Sequence, residues 1–276
     1  MKEKKLRKRT LKDKPAILIA AFGTSARGGV VYEIFDRLVK KKFSWLETRW
    51  AYTSEIIREK TGHPGVTEAL ASLEAEGYRR VVVQPLHVFP GTEYQILSEV
   101  CESFPGLRTI VGETLLHRWR FVEEALDIVS IDFLSPEEGI NMIAAHGTPL
   151  AADPANILCL GLDNLLSHRY DNVFLSTLEG IPGRESAFRK VQMKKQGWQR
   201  ARLIPFMYVA GLHVEEDLMG EDNSFMTALE ETGFEVDWVS AEYEGVSFPK
   251  SLGFYDDIPH CFLDRLKRSM ELMRFY

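Results

Sequence analysis

The chain alternates between two kinds of patterning. Short apolar runs end in glycine or proline, and longer stretches carry apolar residues at helical spacing. The first run covers residues 16–22 and stops at Gly23-Thr24-Ser25. A helix is predicted over about 29–42, where Val30, Ile34, Phe35, Leu38 and Val39 share one face. Further strands are predicted at 46–51, from the β-branched run at 81 to about 87, and at 108–112. Helices fall at about 54–60, 66–76, 92–103 and 119–131. Past Ser135-Pro136-Glu137-Glu138-Gly139 the order begins again. Strands are expected at 140–145, 171–177, 199–206 and 234–239, with helices at 154–169, 183–196, 215–231 and 256–274. Asp153-Pro154 reads as a helix cap followed by proline at the first helical position.

The recurrence is also visible in the residues themselves. Ala20-Ala21-Phe22-Gly23-Thr24 matches Ala144-Ala145-His146-Gly147-Thr148. Gln84-Pro85 through Gly91-Thr92-Glu93 lies equally well under Ile204-Pro205 through Gly211-Leu212-His213. An internal duplication accounts for both matches. In it Phe22 stands where His146 stands, and Glu93 where His213 stands.

Strands separated by single helices imply right-handed βαβ units and mostly parallel sheets. The expected fold is therefore α/β, with two similar Rossmann-like domains over 14–135 and 136–276, a tail at 1–13, and the final helix packing back on the first domain. Ligands of such folds lie beyond the carboxyl ends of the strands. A cleft between the two lobes would be lined by the loops at 23–29, 87–94, 147–152, 178–184 and 210–216.

Composition narrows the reading. A chain of 276 residues, 45% hydrophobic and 27% charged, is that of a globular protein with a sizeable core. Its net charge of -6 gives no footprint for nucleic acid. Cys101, Cys159 and Cys261 fit neither a disulfide framework nor a thiolate metal motif. The basic start followed by an apolar run superficially suggests a signal peptide, but the run is short and its duplicate at 140–146 is wanted as a folded strand. A cytoplasmic protein with no membrane insertion is the expectation.

The cleft loops would contribute His87, Glu93, His146, Glu179 and His213. Imidazole and carboxylate suit a borderline divalent metal. His146, Glu179 and His213 would supply two imidazoles and a carboxylate from one lobe, with Glu93 approaching from the other. Against this stands packing: a histidine after a strand is commonly only a hydrogen-bonded wall residue. Because the other repeat has Phe22 and Glu93 at the matching places, the fold does not need histidine there. His63, His117, His168 and His260 adjoin helix ends or turns, where capping and surface packing explain them. Met207 and Tyr208 read as cleft wall or core. Neither a zincin motif, a nucleophile elbow, a dinucleotide fingerprint nor a P-loop is present, and Ser25 and Thr148 lack a base partner.

These motifs, with Leu178-Glu179-Gly180 and Ala210-Gly211-Leu212-His213-Val214-Glu215-Glu216-Asp217, resemble the anaerobic sirohydrochlorin cobaltochelatases of cobalamin biosynthesis, relatives of ferrochelatase, over residues 15–270. The resemblance implies a chelatase-like bilobal fold and ATP-independent insertion of Co²⁺, as substrate, into sirohydrochlorin or precorrin-2. It implies that His146 and His213 bind the metal with Glu179, that Glu93 handles protons, and that His87 lies near the tetrapyrrole. Haem, which some periplasmic relatives bind, is not expected, and a homo-oligomer is. Arg27 and Arg184 are candidates for receiving the carboxylates of the macrocycle. A ferrochelatase acting on sirohydrochlorin or protoporphyrin, and a non-catalytic tetrapyrrole or metal carrier, are the alternatives.

Overall fold

The computed structural model describes residues 10–194, 197–211 and 214–276. Residues 1–9 of the basic tail and His213 lie outside the described residues. The first repeat runs β1 (Ala16–Ala21), α1 (Val30–Lys42), β2 (Thr48–Tyr52), α2 (Glu55–Thr61), α3 (Val66–Ala75), β3 (Arg80–Pro85), α4 (Thr92–Glu102), β4 (Arg108–Val111) and α5 (Trp119–Val129). The second runs β5 (Ile140–Gly147), α6 (Pro154–Arg169), β6 (Val173–Glu179), α7 (Arg184–Lys194), β7 (Arg200–Pro205), α8 (Phe225–Glu231) and β8 (Glu235–Trp238). An antiparallel hairpin, β9 (Ser240–Tyr243) with β10 (Val246–Pro249), and α9 (Asp257–Met273) complete the chain.

The two sheets repeat each other strand for strand. Their orders are β2-β1-β3-β4 and β6-β5-β7-β8, parallel throughout. The duplicated motifs occupy the same register, Ala20 opposite Pro85 in one sheet and Ala144 opposite Pro205 in the other. The same hydrogen bond follows in each: Leu86 N–H donates to Ala20 O at 2.8 Å, and Phe206 N–H to Ala144 O at 2.7 Å. Gly23 and Gly147, equivalent in the motif, both have positive φ, +95° and +72°, where a side chain would be strained.

Three apolar clusters hold this arrangement. One lies on the outer face of the first sheet, around Leu18, Leu70 and Val83, and one on the outer face of the second, around Met142, Leu203 and Phe225. The largest is shared, running from Ile17 and Phe35 of the first lobe to Ile143, Leu175 and Phe206 of the second. Each fully buried side chain of this size contributes about 1.5–3 kcal/mol. Helix α9 joins this core by packing on β3, β4, α1 and α5. Its buried Arg265 donates to Thr114 O at 3.1 Å and Leu115 O at 2.9 Å, fixing the chain between β4 and α5.

Two expectations change. The predicted helix at 215–231 is broken: Val214–Leu218 is a single π-wound turn, and α8 starts only at Phe225. Asn223 at φ +51° turns the backbone, and Ser224 caps α8 by accepting from Thr227 N–H at 3.1 Å. Apolar residues at helical spacing on either side disguised that restart. The hairpin was not foreseen. Its two-residue turn, Glu244 and Gly245 at φ +50° and +79°, has both central residues in the left-handed region, as a tight hairpin turn requires. Among the described residues no helix is long and apolar enough to cross a membrane.

Candidate functional site

In each sheet the chain crosses from one side of its first strand to the other, leaving a crevice beyond the carboxyl ends of β1 and β3, and of β5 and β7. The lobes meet there crosswise. The loop after β1 packs on the loop after β7, so closely that a Cβ on Gly28 would collide with the Ala210 carbonyl. The loop after β3 packs on the loop after β5. There Asp153 Oδ1 accepts from Thr92 N–H at 3.1 Å across the lobes and from Ala155 N–H at 2.9 Å in its own helix. Phe89, after β3, and Phe206, after β7, meet edge to face across the lobes, with ring centroids 6.5 Å apart.

Of the residues singled out by sequence, His146 lies half-buried at the end of β5. Its Nδ1 is 3.1 Å from Gly147 O. A carbonyl only accepts, so Nδ1 is the donor in this contact. Holding one ring nitrogen on a backbone carbonyl is how a protein orients a histidine that serves as a ligand. Glu179, exposed at the end of the neighbouring β6, pairs in register with Gly147. The strands approach closely here, because a Cβ on Gly147 would meet the Glu179 carbonyl oxygen. Glu93 is exposed in the first turn of α4, directly after the Thr92 amide held by Asp153.

The remaining candidates are placed differently. His87 follows β3, and both its ring nitrogens are buried with no hydrogen-bond partner among the described residues. Desolvation pushes its pKa down to about 4, so the ring is neutral at physiological pH. Arg27 is exposed between Glu215, at 3.7 Å, and the Phe248 ring, at 5.7 Å. Arg184 donates to Asn223 O at 2.8 Å and Asn223 Oδ1 at 3.0 Å, bracing the turn before α8. His168 and His260 set Nδ1 against carbonyls one turn back, and His63 packs on the Tyr52 ring. His117 is less superficial than expected: its Nδ1 is buried with no hydrogen-bond partner among the described residues, and its ring meets Tyr94 at 5.3 Å.

Among the described residues no three histidine, cysteine or carboxylate side chains converge as a metal cluster. The donors are instead one imidazole oriented by the Gly147 carbonyl, one carboxylate on the next strand and a second carboxylate from the other lobe. Exposed apolar side chains follow the ends of four strands: Phe22, Ile56, Leu150 and Ile181.

The cobalt chelatase (CbiK) family model matches residues 15–271. The chain belongs to that family. This chelatase is 30% identical over 249 residues to the sirohydrochlorin cobaltochelatase CbiKC of Nitratidesulfovibrio vulgaris, covering 84% of this chain and 86% of that one. It is 26% identical over 220 residues to the sirohydrochlorin cobaltochelatase of Salmonella typhimurium, covering 76% of this chain and 81% of that one. The fold is also that of SirB from Bacillus subtilis with Fe³⁺, at a TM-score of 0.63 and 15% identity, over 95% of this chain and 98% of that one. Membership makes the chelatase a metal-inserting enzyme with the bilobal architecture inferred from sequence. The inter-lobe bond of Asp153 had no sequence signal beyond a helix cap, because its second partner is 61 residues away.

Proposed function

We propose that this chelatase inserts Co²⁺ into sirohydrochlorin or precorrin-2 without ATP. The observation that carries the reading is His146 at the end of β5, its ring oriented by Nδ1 on Gly147 O, beside Glu179 at the end of the neighbouring strand. His146 and His213 bind the incoming ion, helped by Glu179, in a site that keeps a coordination position open. The macrocycle enters between the lobes with one face toward His146, its apolar surface against side chains such as Phe22 and Leu150.

Insertion replaces two pyrrolic N–H bonds by bonds from those nitrogens to cobalt and releases two protons. No oxidant or nucleotide is required to balance the step. Glu93, a carboxylate on the opposite lobe, takes up protons as they leave, directly or through water, a service worth about 10²–10⁴ in rate. The ion passes from imidazole to ring nitrogen, so the protein ligands must hold it weakly enough to let go. Arg27 receives a peripheral carboxylate of the substrate by exchanging it for Glu215, an exposed partner that costs little to displace. Arg184 we assign to holding the Asn223 turn. His87, its ring nitrogens buried after β3, stays neutral.

The test is anaerobic incubation of the purified protein with sirohydrochlorin and Co²⁺, following the macrocycle's absorption spectrum, with Fe²⁺ and protoporphyrin in parallel. Catalytic turnover with Co²⁺ and sirohydrochlorin supports the reading. Faster turnover with Fe²⁺ would make it a ferrochelatase, and stoichiometric binding without turnover a carrier.

A further inference from the structure

Resting on that reading, we propose that Asp153 is a positioning residue for metal insertion: its carboxylate ties the helix bearing the proton acceptor Glu93 to the loop that follows the metal-binding His146. Glu93 and His146 come from different lobes, so no single element fixes the distance between them. Asp153 is 8% exposed and sits in the contact between the two. Its Oδ1 accepts Ala155 N–H of α6 at 2.9 Å and Thr92 N–H of α4 at 3.1 Å. It thus serves two helix amino termini at once, one in each lobe, and Thr92 immediately precedes Glu93.

The surrounding chain is built around this carboxylate. Gly91, the residue before α4, packs on it so closely that a Cβ there would stand 2.6 Å from Oδ1 and 3.1 Å from the Ala155 Cβ. The duplication offers an internal comparison. The position equivalent to Asp153 in the first repeat is Gly29, which starts α1 with no side-chain cap. The matching contact, between the loops after β1 and β7, is made by backbone packing of Gly28 on Ala210 and by the exposed Arg27–Glu215 pair. Among the described residues, only the contact beside Glu93 therefore carries a buried side-chain bond between the lobes at these two places. A rigid tie belongs where a proton acceptor must meet its donor within hydrogen-bond reach, since a misplacement of about 1 Å can cost on the order of 100-fold in rate.

Capping α6 and tying the lobes are separable. Asn at 153 keeps an acceptor of the same reach, whereas Ser caps its own helix well but is too short to reach Thr92. D153N should therefore keep kcat within about threefold of wild type, and D153S should lower kcat by roughly 10- to 100-fold with the KM for Co²⁺ unchanged. Amide hydrogen exchange in the substrate-free protein should show Thr92 protected in wild type and D153N and fast in D153S. G91A should mimic D153S in the wild-type background and add little to it in the D153S background. If D153S turns over like D153N, or if Thr92 exchanges alike in both, the positioning role is overturned while the chelatase reading stands. If wild type fails to insert any metal into any tetrapyrrole, the functional reading falls and the positioning role with it.

Discussion

Replacing His87 by leucine should remove a pH dependence from the stability of this protein. The wild-type ring is half-buried as a whole, but its nitrogens, where the proton binds, are out of contact with solvent and have no partner among the described residues. Burial lowers the pKa from 6.5 to about 4. Between these values the unfolded chain binds a proton that the folded one refuses, so stability is complete above the unfolded pKa and falls as pH drops toward 4. Linkage over that interval gives a loss of roughly 2 kcal/mol between pH 7 and pH 4.5 from this residue alone. H87L lacks the titrating group and is of similar size. Urea unfolding of both proteins at a series of pH values isolates the term, since all other groups titrate in both. Wild type should lose roughly 2 kcal/mol more than H87L on acidification, and at pH 7 the variant should be as stable or slightly more so, having shed two unpartnered polar atoms. Parallel stability curves would refute a buried, neutral His87. So would a variant much weaker at pH 7, which would mean that the ring nitrogens make a bond.

Two glycines should respond oppositely to alanine. G147A puts a side chain at φ +72° against the Glu179 carbonyl and should cost several kcal/mol or displace the end of β5, seen as a lower unfolding midpoint together with lost insertion activity. G161A, inside α6 with nothing within 4 Å of the added carbon, should raise stability by about 0.5–1 kcal/mol. R184A should lower stability by about 1–2 kcal/mol through the freed Asn223 turn while leaving the tetrapyrrole KM unchanged. A raised KM at wild-type stability would return Arg184 to the substrate site.

The parts of the fold legible in the sequence are those encoded locally or repeated. Asp153-Pro154 marked the start of α6 because cap and first-turn proline act within one turn. Ala20 and Pro85, with Ala144 and Pro205, showed the duplication, and those same pairs are register partners in the two sheets. What was hidden depends on distant or opposing signals. The start of α8 is set by Ser224 and the turn at Asn223, within a stretch whose apolar spacing suggested one continuous helix. The β9–β10 turn uses Glu244, a residue type that seldom adopts positive φ. At the site, the places of His146, Glu179 and Glu93 just at or after strand ends were readable from the pattern, and the chemistry proposed for them rests on residue type and on the family resemblance. The environments of His87 and Arg184, and the second partner of Asp153, arise only when separate segments pack.

The most direct measurement is single-turnover insertion of Co²⁺ into sirohydrochlorin under anaerobic conditions by wild type, H146A and H213A at equal folded concentration. Both variants should take up the tetrapyrrole but insert cobalt at least about 100-fold more slowly, with weaker Co²⁺ binding in the absence of the macrocycle. Wild-type insertion rates and unchanged Co²⁺ affinity in H146A would contradict delivery of the metal from the histidine at the end of β5.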